Sequence, residues 1–396
     1  LTVFATAYVV DFTPARKPPA AAQFNWITGG FDVAPEQLAL DLPPPSEVIL
    51  PDDESVVLLA TENGAQLFVS GFGLFVGKKS ERVVVKKGKA VCAQVPLLKL
   101  QEIVVGSRGV SFSSDVLEEL CARGIRAAFL SSSGRPFALL TSPLLTATVE
   151  TRREQFAAYH DERGANICRW VVAGKIHNQE KLLLYFGKNR EGGARERLQR
   201  AAGALRGLRR QALGVEGGSA EAVRPTLMGL EGTAGRMYWD EIGAMLPSEA
   251  GFDGRRRQDA PDAVNSMLNY GYGILYAHVW GAVMNAGLEP FAGFLHSDRS
   301  GKPSLVLDLV EEFRQPVVDR AVFTWLNRGG RPGVERGMLD AKTKEEVAGR
   351  VMLRLQSAET HRGKSHQVRS IIQMQARLAA SAVRGLRSYR PFAFKW

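Results

Sequence analysis

From Glu54 to Thr141 apolar residues recur at every second position, and from Ser142 almost to the end they recur at helical spacing. The first stretch, typified by "QLFVSGFGLFVGKKSERVVVKKGKAVCAQVP", sets short β-branched runs between Gly and Lys turns and predicts an antiparallel sheet. One helix interrupts it: "SFSSDVLEELCARG" has serines at its entry, an acid in the first turn and Gly124 after its end. "IRAAFL", the turn "SSSGR" and "PFALLTS" then return to strand. The second stretch opens with "LLTATVETRREQFAAYHDERGANICRWVVAGKIHNQEKLLLYF", which is charged on one side and free of strand punctuation. Residues 1–53 follow neither period. "FTPARKPPAAAQ" and "LALDLPPPSEVILPDDES" are proline-rich and acidic-apolar in turn, the composition of a linker or the remnant of a fused domain. The expected fold class is α+β: residues 1–53 a linker or remnant, 54–142 a small antiparallel β domain, and 143–396 a larger all-α domain ending in a basic helix.

Glycines in "GFGLFVGKK" imitate a phosphate-binding loop and fail its test. Phe72 stands where the first glycine is needed and Lys79 where Ser or Thr is needed, so these glycines are read as hairpin turns.

Composition narrows the picture. The chain of 396 residues is too long for one ordinary core, and two or three domains are expected. No run of about 18 uncharged apolar residues occurs, so no membrane helix is expected. Cys92, Cys121 and Cys168 lie far apart without a CxxC pair, which argues against a disulfide framework, a structural zinc site or an iron–sulfur cluster, and for a cytoplasmic protein. The net charge is +10, and from Thr360 to Trp396 there is no acid at all among Arg362, Lys364, Arg369, Arg377, Arg384, Arg387, Arg390 and Lys395. "KNREGGARERLQRAAGALRGLRRQ" is a second basic region. A polyanion, nucleic acid before membrane, is one partner this excess fits; a solvated helix face or a loose tail explains it equally well.

Three segments carry candidate chemistry. Taken as a helix from about Ser304, "SLVLDLVEEFRQPVVDR" places Val306, Leu309, Val310, Phe313 and Val317 on a core stripe, with Asp308, Glu311, Glu312 and Asp319 opposite as a solvated acidic face. Leu305 and Leu307 edge that acidic strip, and carboxylates so crowded repel unless a cation sits among them. In "RPTLMGLEGTAGRMYWDEIGAML", Pro225 is expected to open a helix with an apolar stripe of Leu227, Ala234, Tyr238 and Ile242. Glu231 lies within that stripe, so it is either a buried partner of an Arg or a metal ligand, because burying it bare is very costly. The small residues Gly229, Gly232, Thr233 and Gly235 let another backbone come close. His296 closes "PFAGFLH" before the loop "SDRSGKP", where a structural histidine is the ordinary outcome. With Glu231, Asp308 and Glu311 it would supply a hard-donor set suited to Mg²⁺ or Mn²⁺.

Read in order, these segments resemble the CRISPR adaptation integrase family. "VSFSSDVLEELCARGIRAAFLSSSGRPFA" is similar to the strand–helix–strand–hairpin that closes the family's β domain. "LMGLEGTAGRMYW" resembles its first ligand segment, "VNSMLNYGYGILYAHVWGAVMNAGLEPFAGFLH" its helix leading to the ligand histidine, and "SLVLDLVEEFRQPVVDR" its acidic helix. The likeness spans residue 65 to at least 320. It implies a metal-dependent DNA integrase and endonuclease that joins 3′-hydroxyl ends of spacer DNA to a repeat array by transesterification. The metal ligands it implies are Glu231, His296 and Glu311, with Asp308 as a further catalytic-site acid. DNA contacts are expected from Arg236, Asn265, Asn269, Tyr270, Arg299, Lys302, Arg362, Lys364 and Arg369, while Tyr272 is read as a packing aromatic. The implied partners are double-stranded DNA, a second copy of the chain joined through the β domain, and a small ferredoxin-like subunit. Some members follow a RecB-like nuclease or a reverse transcriptase, which fits the N-terminal remnant. "VVDFTPARKP" has Thr13 where the nuclease lysine belongs, so that activity is not carried over. A nuclease that cleaves branched DNA without integrating, and a non-catalytic DNA-binding scaffold, are the competing expectations.

Overall fold

The computed structural model describes residues 23–25, 30–32, 56–61, 64–140, 148–188, 190–256, 262–335 and 337–395. The chain divides into Leu1–Glu47 and Val48–Trp396. In the first unit the described residues are an antiparallel hairpin, β1 (Gln23–Asn25) and β2 (Gly30–Asp32). The remainder of the expected linker lies outside the described residues, as do both expected domain boundaries beside 53 and 142.

The second unit opens with two sheets. The strands are β3 (Val56–Thr61), β4 (Gly64–Val69), β5 (Leu74–Lys79), β6 (Arg82–Lys87), β7 (Ala90–Pro96), β8 (Leu100–Val105), β9 (Val110–Phe112), β10 (Arg126–Leu130) and β11 (Pro136–Leu140). They form a five-stranded sheet, β11-β10-β8-β4-β3, and a four-stranded sheet, β7-β6-β5-β9. Helix α1 (Ser114–Ala122) falls where its serines and Gly124 place it, and β5 and β6 form the hairpin read in "GFGLFVGKK". The sheets are mixed rather than purely antiparallel, because β8 runs parallel to β4 and β10, and β9 parallel to β5. A chain that crosses to the other sheet between partners returns in the same direction, and alternation alone does not encode that crossing.

The five-stranded sheet is buried on both faces. Leu67, Val69, Ile103, Val105 and Ala127 pack into the sandwich, while Phe68, Val104, Ala128 and Leu130 join the core of the helices. This junction also carries a buried pair, His278 Nε2 to Glu102 Oε2 at 2.8 Å.

The helices are α2 (Thr148–Ala158), α3 (Glu162–Gly187), α4 (Gly192–Leu213), α5 (Ala220–Met245), α6 (Ala263–Asn285), α7 (Ser304–Val310), α8 (Arg320–Asn327), α9 (Ala341–Gln356) and α10 (Val368–Val383). Helix α3 packs on α4 and α5, and α6 on α9 and α10. Helix α5 begins five residues before Pro225, at a cap where Ser219 Oγ accepts from the Ala222 N–H. The basic C-terminal end is not a loose tail: Tyr389, Phe392 and Phe394 are buried against the helices.

After α7 the helix does not continue regularly. A π-helical segment, Arg314–Asp319, follows and leads into α8. Pro316 lacks the N–H that would bond the Glu312 carbonyl, and Asn178 Nδ2 donates to that carbonyl instead at 2.7 Å. The regular helix of the wheel drawn from Ser304 therefore ends at Val310, although Phe313 and Val317 are buried as their stripe predicts.

Candidate functional site

The expected solvated acidic face does not exist: Asp308, Glu311, Glu312 and Asp319 are all buried. Asp308 lies within α7 and the other three beyond its end, and each has its own partners. Glu312 accepts from Tyr389 Oη (2.8 Å), Gln375 Nε2 (2.9 Å) and the Phe392 N–H, and burial pushes its carboxyl up to about 7. Asp319 accepts from Tyr238 Oη at 2.7 Å and from Tyr272 Oη, and burial raises it to about 6 against those hydrogen bonds. Tyr272 is thus a packing residue with a structural hydrogen bond.

Asp308 holds the loop after α6. Its Oδ2 accepts from the N–H groups of Phe294 (2.6 Å) and Leu295 (3.1 Å), and its Oδ1 from the His296 N–H (2.9 Å) and His296 Nδ1 (2.8 Å). The backbone bond and the Nδ1 contact to the same carboxylate together fix the orientation of the ring. The side chain of His296 keeps only 15% of its surface exposed.

Glu231 and Glu311 come from α5 and from the end of α7, and they close on one cation that the sequence reading passed over. Lys175 of α3 pairs with Glu231 Oε1, and its Nζ lies 2.7 Å from Glu311 Oε2. The lysine side chain is only 7% exposed. Arg314 NH1 donates to Glu311 Oε1 at 2.9 Å, while its NH2 donates to Tyr276 Oη at 3.0 Å. Burial by itself would raise the Glu311 carboxyl, but the charges of Arg314, Lys175 and His296 outweigh it and hold the group well below the usual carboxylate range. His296 is therefore within electrostatic reach of Glu311.

Beside this cluster lies a cleft of about 360 Å³, lined by Lys175, Gln179, Glu231, Arg236, Trp239, Arg255, Tyr272, Arg314 and Gln315, with Gly232, Gly235, Asp240 and Gly254 completing the wall. A Cβ added at Gly232 or Gly235 would meet nothing within 4 Å, so the glycines of α5 face open space, as a close backbone approach requires.

Several expected contact residues stand elsewhere or serve the scaffold. Asn265 is fully buried and saturated: its Oδ1 accepts from Arg255 NH1 and the Arg256 N–H, and its Nδ2 donates to Gly254 O and Asp262 Oδ2. Asn269 Oδ1 accepts from Arg255 NH2 at 2.6 Å, so the two asparagines aim Arg255 at the cleft rather than reach it themselves. Tyr270 is buried, with its hydroxyl over Gly106 of the β domain. Arg369 is half-buried and donates to Gln367 Oε1. Arg236 borders the cleft, and Arg299, Arg362 and Lys364 are exposed, with Lys302 half-exposed in the turn after His296.

Among the described residues no three His, Cys, Asp or Glu side chains stand close enough together to hold a metal ion as placed. The donor set nevertheless fits a hard divalent ion in kind, since two carboxylates flank a point already held by an ammonium and an imidazole lies within electrostatic reach of one of them. Lys175 was legible in principle: it lies on the buried stripe of α3 with Val171, Val172 and Gln179, and a lysine there needs an acid.

A β-sandwich docked on a helical domain, with a histidine–carboxylate cluster beside a cationic cleft, defines the class. Residues 67–380 match the family model described as CRISPR associated protein Cas1, and the chain belongs to that family. It is 37% identical over 347 residues to the CRISPR-associated endonuclease Cas1 1 of Archaeoglobus fulgidus, covering 84% of this chain and 100% of that one. In fold it resembles a casposase bound to integration product, with a TM-score of 0.69 and 21% identity over 83% of this chain and 93% of the other. It also resembles a chain of a Cas6-RT-Cas1–Cas2 complex, with a TM-score of 0.67 and 21% identity over 85% of this chain and 37% of that longer one.

Proposed function

We propose that this Cas1-family chain is a divalent-metal-dependent DNA integrase and endonuclease of CRISPR adaptation, in which a DNA 3′-hydroxyl attacks a phosphodiester of the repeat array by transesterification and the repeat strand's own 3′-hydroxyl leaves. The observation that carries this is the convergence of Glu231 and Glu311 on one cation beside an open, arginine-lined cleft, with His296, held by Asp308, within electrostatic reach of Glu311. Glu231, His296 and Glu311 would hold the Mg²⁺ or Mn²⁺ ion, which would supply stabilisation of the charge that develops on the phosphoryl oxygen. Arg236 and Arg255 offer donors to phosphates of the strand in the cleft, and the glycines of α5 let its backbone lie close. Arg314 keeps Glu311 ionised, and Asp308 keeps the His296 ring oriented. Arg299, Lys302, Arg362 and Lys364 extend the basic surface for duplex DNA. A second copy of the chain and a small partner subunit complete the assembly, a reading supported by the fold shared with the Cas6-RT-Cas1–Cas2 complex.

One observation favours a second reading. Lys175 and Arg314 already compensate both carboxylates, as in a non-catalytic DNA-binding scaffold. Strand transfer separates the two. A short duplex with free 3′-hydroxyl ends is incubated with supercoiled repeat-bearing DNA, the partner subunit and Mn²⁺, using the intact protein and Glu231→Ala. Product from the intact protein and none from the variant is the expected result. No product from either, with DNA binding retained and no Mn²⁺ bound, selects the scaffold.

A further inference from the structure

The ammonium of Lys175 occupies the point between Glu231 and Glu311 where a divalent ion would have to lie. Three facts describe its situation. Glu311 does not depend on it alone for compensation, because Arg314 NH1 donates to the other oxygen of that carboxylate. The lysine also lines the open cleft, beside glycines whose missing side chains leave room for its head. Its four-carbon stem is flexible and its ammonium is a compact charge with three donors, one of which bonds Glu231 while Glu311 pairs with its charge.

Two cations cannot share those carboxylate oxygens, since their mutual repulsion and their demand for the same lone pairs both oppose it. We propose that Lys175 is an internal counter-ion that holds Glu231 and Glu311 together in the free protein, yields its place to the divalent ion, and swings into the cleft, where its ammonium contacts a DNA phosphate. The inference rests on the metal-dependent reading given above and adds a positioning residue to it. The consequence is a lowered apparent metal affinity in the free protein, because only the fraction of molecules with the lysine withdrawn is competent to bind.

The test is Mn²⁺ titration of the protein, followed by the electron paramagnetic resonance signal of free Mn²⁺, for wild type, Lys175→Gln, Lys175→Arg and Glu231→Gln. Lys175→Gln, which removes the competing charge, is expected to bind Mn²⁺ about tenfold more tightly than wild type, and Lys175→Arg no more tightly than wild type. Unchanged or weaker binding by Lys175→Gln overturns the proposal. Acylation of wild-type lysines, mapped by mass spectrometry, covers the case of a variant that does not fold. Labelling of Lys175 is expected to rise at saturating Mn²⁺, and unchanged labelling overturns the proposal. Mn²⁺ binding that requires Glu231 but ignores Lys175→Gln defeats this inference alone. No Mn²⁺ binding by any form defeats both this inference and the function proposed above.

Discussion

Replacing Asp308 by Asn isolates the residue that shapes the histidine loop. The carboxylate is buried and accepts four bonds, from three consecutive backbone N–H groups and the His296 ring. An amide keeps one oxygen and presents an NH₂ on the other side, so two of the four donors lose their acceptor. At about 1–3 kcal/mol for each buried donor left unsatisfied, Asp308→Asn is expected to cost about 2–6 kcal/mol. That is a large share of the roughly 5–15 kcal/mol that holds an ordinary domain together. Urea unfolding measures the stability. Mn²⁺ affinity is expected to fall by about 10–100-fold, the usual effect of removing a group that orients a ligand. The sharper assay is a double-mutant cycle with His296→Ala. If Asp308 acts only by positioning His296, adding Asp308→Asn to His296→Ala produces little further loss of Mn²⁺ affinity. Fully additive losses in that cycle, or wild-type stability in the single variant, would refute the reasoning.

Two other substitutions test the scaffold around the site. Asp319 has its carboxyl raised to about 6 by burial, from 3.8, so the folded state binds more protons than the unfolded state between those values and loses stability as pH rises through them. Asp319→Asn removes that contribution. Relative to wild type, the variant should therefore gain up to about 3 kcal/mol between pH 4 and pH 7 in urea unfolding, and a constant difference would show that Asp319 is not the titrating group. Gly273 of α6 meets the β10–β11 turn so closely that a Cβ would stand 1.5 Å from Gly134 O. Gly273→Ala should cost at least about 2 kcal/mol by overpacking, read as a fall in thermal midpoint; an unchanged midpoint would mean that the turn yields freely.

Much of the site was legible in the chain because burial leaves a mark on pattern. Glu231 interrupts an apolar stripe, and only a partner explains a carboxylate there; the structure supplies Lys175. His296 and the acids of "SLVLDLVEEFRQPVVDR" were singled out by type and order. Their individual duties were not, because a helical wheel assumes a solvated face and unbroken geometry, whereas this segment is buried around its circumference and turns irregular after Val310. Asp308, Glu311, Glu312 and Asp319 consequently look alike in sequence and do four different things in the fold. Asn265, Asn269 and Tyr270 show the reverse. Polar residues in a suggestive motif turn out to brace the Arg255 loop and the sheet junction, since their partners lie on segments that no spacing rule connects.

By itself the sequence determined the α+β class, the strand-to-helix change, the hairpin at "GFGLFVGKK", the α1 signals and the donor types of the site, all of which rest on local propensity, periodicity and the cost of burying charge. Tertiary structure decided the parallel pairings, the direction in which each buried acid points and the identity of the cation between Glu231 and Glu311. Those depend on which distant segments meet, and Lys175 and Glu231 are joined only when α3 packs against α5.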